Sequence, residues 1–173
     1  RLILDAVEHV AGNAASPEFT LEVFGLGGEA FKRELANYPG ATKHVSHSGV
    51  LPHTDALARM KNFDLLVISD APMASRSIFL TSKIVDYLGT QRPIFAITPE
   101  GPTKDLIDRI GGWSVSPDDP SEVAAAMVDA IQGVNATKAE ESDAARDAYA
   151  IDRIGRRFRD ILDQVIASNA GPA

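Results

Sequence analysis

TSKIVDYLGTQRPIFAITP, from Thr81 to Pro99, reads as a helix start that runs into a buried strand. With Ser82 as the cap and about 100° of rotation per residue, Ser82, Lys83, Asp86 and Tyr87 fall on one polar stripe. Ile84, Val85 and Leu88 fall on the side expected to pack. Gln91-Arg92-Pro93 ends the helix, because proline lacks an N–H and disfavours a helical residue before it. Ile94-Phe95-Ala96-Ile97 follows without a polar residue, the pattern of a strand covered on both faces.

Outward from this pair the alternation continues. Leu2, Ile3, Ala6, Val7 and Val10 repeat at helical spacing as far as Ala11, where Gly12-Asn13 stops them. Phe19 to Phe24 reads as a strand ending in Gly25-Leu26-Gly27-Gly28, and Glu29 to Asn37 as the helix after it. A short strand fits His44 to His47, a helix about Thr54 to Lys61, and an apolar strand Leu65 to Ile68. Gly101-Pro102 opens a helix to Ile110, and Trp113 to Ser116 is strand. Asp119-Pro120-Ser121-Glu122 then starts a helix with an acidic cap and a glutamate three residues on. Val134 to Asp147 is charged and alanine-rich, a weak helix or a linker. From Ile151 to Ile166 an apolar stripe recurs at helical spacing, with Arg153, Arg156, Arg157 and Arg159 mostly outside it, so this last helix is expected to dock on something.

Strand starts about 20 to 30 residues apart, with a helix in each gap, predict an α/β fold: a Rossmann-like parallel sheet with helices on both faces. Residues 1–150 would form this domain and 151–173 a C-terminal amphipathic helix and tail. The chain opens abruptly inside a helical pattern and without Met, as expected of a piece of a longer protein.

Composition narrows the function classes. At 173 residues, 45% hydrophobic and 24% charged, the chain suits one globular domain with a real core. A net charge of −7 argues against a general grip on nucleic acid, which needs a basic footprint. The absence of cysteine excludes disulfides and thiolate metal sites and fits a cytoplasmic protein. No apolar run approaches the roughly 18 residues that would span a bilayer.

Gly25-Leu26-Gly27-Gly28 lies between a strand and a helix, the right place for a loop that lets a phosphate approach helix N–H groups. It lacks the full dinucleotide spacing, so a plain tight turn is the preferred reading and an NAD site is disfavoured. His9, His44, His47 and His53 show no metal-ligand pattern with nearby carboxylates. Ser69, Ser75, Ser77 and Ser82 sit in no nucleophile elbow. Asp118-Asp119 reads as a cap and turn rather than a metal site. The organising helix is different: its start offers unpaired N–H groups and a partial positive charge, Lys83 adds a cation, and Asp86 stands one turn on as an acceptor. Those are the needs of a diphosphate joined to a ribose. The plain alternative makes Ser82 an N-cap and Lys83 with Asp86 an i,i+3 surface pair.

SKIVDYLGTQRP also resembles the segment SK-hydrophobic-hydrophobic-E-Y-L-x-x-G-x-P of GT-B glycosyltransferases, retaining enzymes of the group 1, family 4-like kind with two Rossmann-like halves. LEVFGLGGEA is similar to that family's second strand and glycine turn. HVSHSGVLPHTDALARMKNFDLLVIS is similar to its V-x-F-x-G-x-V-x-x-x-x-L…D-x-x-V-x-P-S run, with Val45, Gly49, Leu57, Asp64 and Ser69 in place, and GGWSVSPDDPSEVAAAM to G-x-x-V-x-x-x-D-x-x-x-L-A-x-A-I. The resemblance implies the C-terminal, donor-binding half of such an enzyme. Asp86 would then hold the ribose hydroxyls and Thr81, Ser82 and Lys83 face the diphosphate. The loop from His47 and Ser48 to Leu51 would lie by the base, and Gly25 and Gly27 would line the site. No cofactor and no metal ion are implied, only the nucleotide-sugar donor. Two departures stand out. Many members carry two glutamates eight positions apart, where this chain has Ile78 and Asp86. They also have a first strand with a basic residue after it and a lysine opening the first helix, positions that would precede Arg1.

The implied function is transfer of a sugar from a nucleoside-diphosphate sugar, with an N-terminal acceptor-binding domain missing from this chain and membrane association open only through that missing half. The isolated chain would then be inactive. The rival expectations are an epimerase-like half acting on nucleotide sugars and an α/β module that mediates protein contacts without catalysis.

Overall fold

The computed structural model of the protein describes residues 1–70, 76–134, 143 and 146–169. In chain order its elements are α1 (Leu2–Ala11), β1 (Leu21–Val23), α2 (Gly28–Leu35), a 3-10 turn (Ala41–Lys43), β2 (Val45–His47), α3 (His53–Met60) and β3 (Leu66–Ser69). Then come α4 (Lys83–Thr90), β4 (Ile94–Ile97), α5 (Pro102–Arg109), β5 (Trp113–Val115), α6 (Pro120–Gly133) and α7 (Ile151–Asn169). Each expected strand and helix is present, with ends moved by a residue or two. The Val134 to Asp147 segment lies mostly outside the described residues.

β4 is buried along its whole length and shows why its apolar run had to be a central strand. Phe95 and Ile97 point into a core shared with Leu4, Val7 and Val10 of α1 and Val123 and Met127 of α6. Ile94 and Ala96 point the other way, into a core with Ile84 and Leu88 of α4 and Leu106, Ile107 and Ile110 from the α5 end. This period of two, apolar on both sides, requires helices on both faces. α6 starts as its sequence predicts: Asp119 accepts a hydrogen bond from the Ser121 backbone N–H at 2.8 Å, and Pro120 occupies the first turn, where a missing N–H costs nothing.

All ladders are parallel, with β3–β4–β5 in one group and β1–β2 in another. The single sheet expected from the strand spacing is therefore divided. Leu21 and Val23 of β1 pack on the same core as Val67, Phe95 and Ile97, yet β1 and β3 exchange no ladder bonds, and each keeps one edge unpaired among the described residues.

Among the described residues the apolar stripe of the last helix stays uncovered by this domain. Ile151, Ile154, Phe158, Ile161, Leu162, Val165 and Ile166 are all exposed, and Phe158 keeps 62% of its surface.

Candidate functional site

The carboxyl ends of the strands gather the glycine turn after β1, the loop after β2, Asp70 after β3 and Thr98 after β4, with the start of α4 beside them. Open α/β sheets bind ligands at this edge.

α4 begins without a side-chain cap. Ser82 occupies the cap position but has helical dihedrals (φ −63°, ψ −30°) and makes no capping bond, contrary to the reading of Ser82 as the cap. The first helical bonds are short-range, Ile84 N–H to Thr81 O and Val85 N–H to Ser82 O. Ser82 and Lys83 N–H have no partner among the described residues. They carry the partial positive charge of a helix start. Thr81 N–H is taken by Thr103 Oγ1 at 3.3 Å. Lys83 is exposed and forms no ion pair among the described residues. The Lys83–Asp86 surface pair is thus not formed, and Asp86 instead meets His53 Nε2 of α3 at 3.3 Å.

Two assignments on α4 are corrected. Tyr87, expected on the polar stripe, turns inward beside the α4–α5 core and donates its hydroxyl to Val67 O at 3.3 Å. Burial, and then the charge of Asp86, push its phenol above the ordinary value, so it stays a neutral donor that ties α4 to β3. Val85, expected to pack, is 45% exposed. The helix is rotated so that Ile84, Leu88 and Tyr87 face the sheet, because β3 and α5 lie on that side. Lys83 and Asp86 remain on the wet side.

The strap leading into α4 is pinned at several points. Ser77 N–H bonds Glu100 O, Phe79 N–H bonds Ser77 Oγ, Thr103 Oγ1 reaches Phe79 O, and Arg76 pairs with Asp105 at 2.5 Å. Ile78 and Phe79 project from it 80% and 66% exposed. Ile78, standing where the resemblance places a glutamate, offers no hydrogen-bonding group.

Gly25 and Gly27 take positive φ (143° and 82°), which a side chain would resist, and nothing crowds the space where their Cβ atoms would be. Gly25 N–H bonds Gly49 O at 2.7 Å, so the turn after β1 is tied to the loop after β2. His47 and Ser48 are both engaged within the fold. His47 Nδ1 accepts from Gly49 N–H at 3.2 Å with its ring against Phe31, and Ser48 donates to Glu22 at 2.5 Å. Glu22 also takes Arg59 at 2.9 Å, and these two donors, Ser48 first, hold its carboxyl below the ordinary value.

Thr81, Ser82, Lys83 and Asp86 are thus together at the start of α4. Gly25, Gly27, His47 and Ser48 form a second group across the same edge, joined by the Gly25–Gly49 bond. Sequence reasoning missed His53 and the pair Thr98–Asp70, in which the buried Thr98 hydroxyl donates to Asp70 at 2.8 Å. Their signal was position only: His53 opens a helix, and Asp70 directly follows an apolar strand. Among the described residues no group of three or more His, Asp or Glu is placed to hold a metal ion, and no helix is long and apolar enough to cross a membrane.

No protein-family model and no curated protein matches the sequence. Solved structures do resemble the fold. Anabaena HepE in complex with UDP superposes with a TM-score of 0.70 at 18% identity, covering 94% of this chain and 44% of HepE. Sucrose-phosphate synthase from Thermosynechococcus elongatus gives 0.72 at 13% identity, with 96% and 43% covered. S. aureus TarM gives 0.66 at 16%, with 92% and 31% covered. The chain spans less than half the length of each. Parallel strands between two helix layers, superposing on these proteins over nearly all the chain's length, give the chain the fold of a fragment of a GT-B glycosyltransferase.

Proposed function

We propose that the chain is the donor-binding half of a glycosyltransferase and takes up a nucleoside-diphosphate sugar at the carboxyl edge of its sheet. The observation that carries this reading is the start of α4: two unpartnered N–H groups and Lys83, with Asp86 one turn, about 5 Å, further along. An anionic diphosphate suits the first three groups and a ribose diol suits the carboxylate. HepE, of similar fold, has been crystallised with UDP, with UDP and glucose, and with UDP-glucose, which supports the ligand class.

In the reaction the bond from the anomeric carbon to the diphosphate breaks, and negative charge develops on the leaving oxygens. Helix N–H groups and Lys83 would stabilise that charge, which is this half's contribution to rate. Acceptor binding falls to a further domain. The same reading has a further parallel strand between β1 and β3, whose facing edges are unpaired among the described residues.

Calorimetric titration with UDP, GDP and ADP tests the reading. One of the three should bind with 1:1 stoichiometry, and no sugar should be transferred from the matching nucleotide sugar. No binding of any of them would favour a protein-contact module, which the uncovered stripe of α7 would suit. Turnover by this chain alone would overturn the division of labour between two halves.

A further inference from the structure

His53 is the first residue of α3, and its Nε2 lies 3.3 Å from Asp86 Oδ2 on α4, 33 residues away in sequence. The imidazole side chain is 70% exposed and the carboxylate 39%, so neither is held by burial. An unrestrained aspartate on a wet helix face samples several χ1 and χ2 settings, whereas one Nε2–H donor fixes one oxygen and leaves the remaining lone pairs open. The pair also bridges two helices that pack beside the sheet edge.

Resting on the reading of Asp86 as the ribose acceptor, we infer that His53 is a positioning residue that holds the Asp86 carboxylate in the orientation the two ribose hydroxyls require. The imidazole donates from Nε2 to the carboxylate and contacts no ligand atom itself. Its contribution is preorganisation: the carboxylate is aimed before the nucleotide arrives, so less freedom is lost on binding.

The test uses the 173-residue chain, with UDP and 2′,3′-dideoxy-UDP as probes, comparing the original sequence with His53→Ala, His53→Gln, Asp86→Asn and the double variant His53→Ala/Asp86→Asn. His53→Ala should weaken UDP about threefold or more, and His53→Gln, whose amide can donate to the same oxygen, should restore most of the loss. In the Asp86→Asn background His53→Ala should add nothing, and dideoxy-UDP should bind the original chain and His53→Ala alike. If Asp86→Asn weakens UDP while His53→Ala does not, the positioning role is wrong and the donor-site reading stands. If His53→Ala weakens both probes equally, or glutamine gives no rescue, the histidine only packs α3 on α4. If Asp86→Asn itself has no effect, or none of UDP, GDP and ADP binds, the donor-site reading fails and the inference with it.

Discussion

Gly101 is held at φ 149°, and a Cβ there would collide with the Ser77 carbonyl oxygen, whose own N–H is bonded to Glu100 O. The close approach seats the strap that carries Ile78 and Phe79 to the start of α4. Gly101→Ala should therefore lower stability by about 1 to 3 kcal/mol, the usual cost of a strained backbone position, read as a lower denaturation midpoint in urea. An unchanged midpoint would mean that the strap simply moves aside. Residue identity made this glycine visible in the sequence, with Pro102, as the opening of a helix, but not as a contact. At the same scale the wet-side position of Asp86 was legible, but its partner His53 was not. Tyr87 and Val85 were not, because an aromatic with a hydroxyl and a β-branched residue each suit either side of a helix. Which side wins is fixed by where β3 and α5 stand.

Among the elements, β4 was readable to the residue because apolar side chains at every position admit only a two-sided burial. The link between β1 and α3 was not. Glu22 on β1 gathers Ser48 and Arg59, and both hydrogen bonds favour its ionised form. A carboxyl whose folded pKa is depressed contributes stability that is present above its unfolded value, near 4.5, and lost as pH falls through the lower folded value. Glu22→Gln should accordingly be less stable near neutral pH and show a shallower loss of stability below about pH 4.5. Superimposable stability profiles for the two proteins would remove Glu22 from this role. For α7 the stripe was legible and its partner was not: amphipathicity says that a face is meant to be covered, never by what. With Phe158 62% exposed, Phe158→Ala should leave the melting temperature of this chain unchanged, where a buried phenylalanine would cost about 3 to 5 kcal/mol. A marked drop in melting temperature would mean that α7 packs on the domain after all.

At the scale of the molecule, strand and helix alternation was enough to give a parallel α/β fold with two helix layers, and the similarity to HepE and sucrose-phosphate synthase covers almost the whole chain. What alternation does not encode is which strands are neighbours, so the division of β1–β2 from β3–β4–β5 appears only in the structure. The architecture brings the turn after β1, the loop after β2 and the start of α4 to one edge, and the central claim is that this edge holds a nucleoside diphosphate with Asp86 on its ribose. A hydrogen bond to a charged acceptor contributes about 1.5 to 3 kcal/mol, while the exposed pair with His53 is worth under about 1 kcal/mol to folding. The direct measurement is the affinity of Asp86→Ala and Asp86→Glu for UDP and GDP by calorimetry, beside their melting temperatures. The account predicts about a tenfold or greater loss of affinity for alanine with stability nearly intact, and binding at least as tight as the original for glutamate. Equal affinity in all three proteins would contradict it.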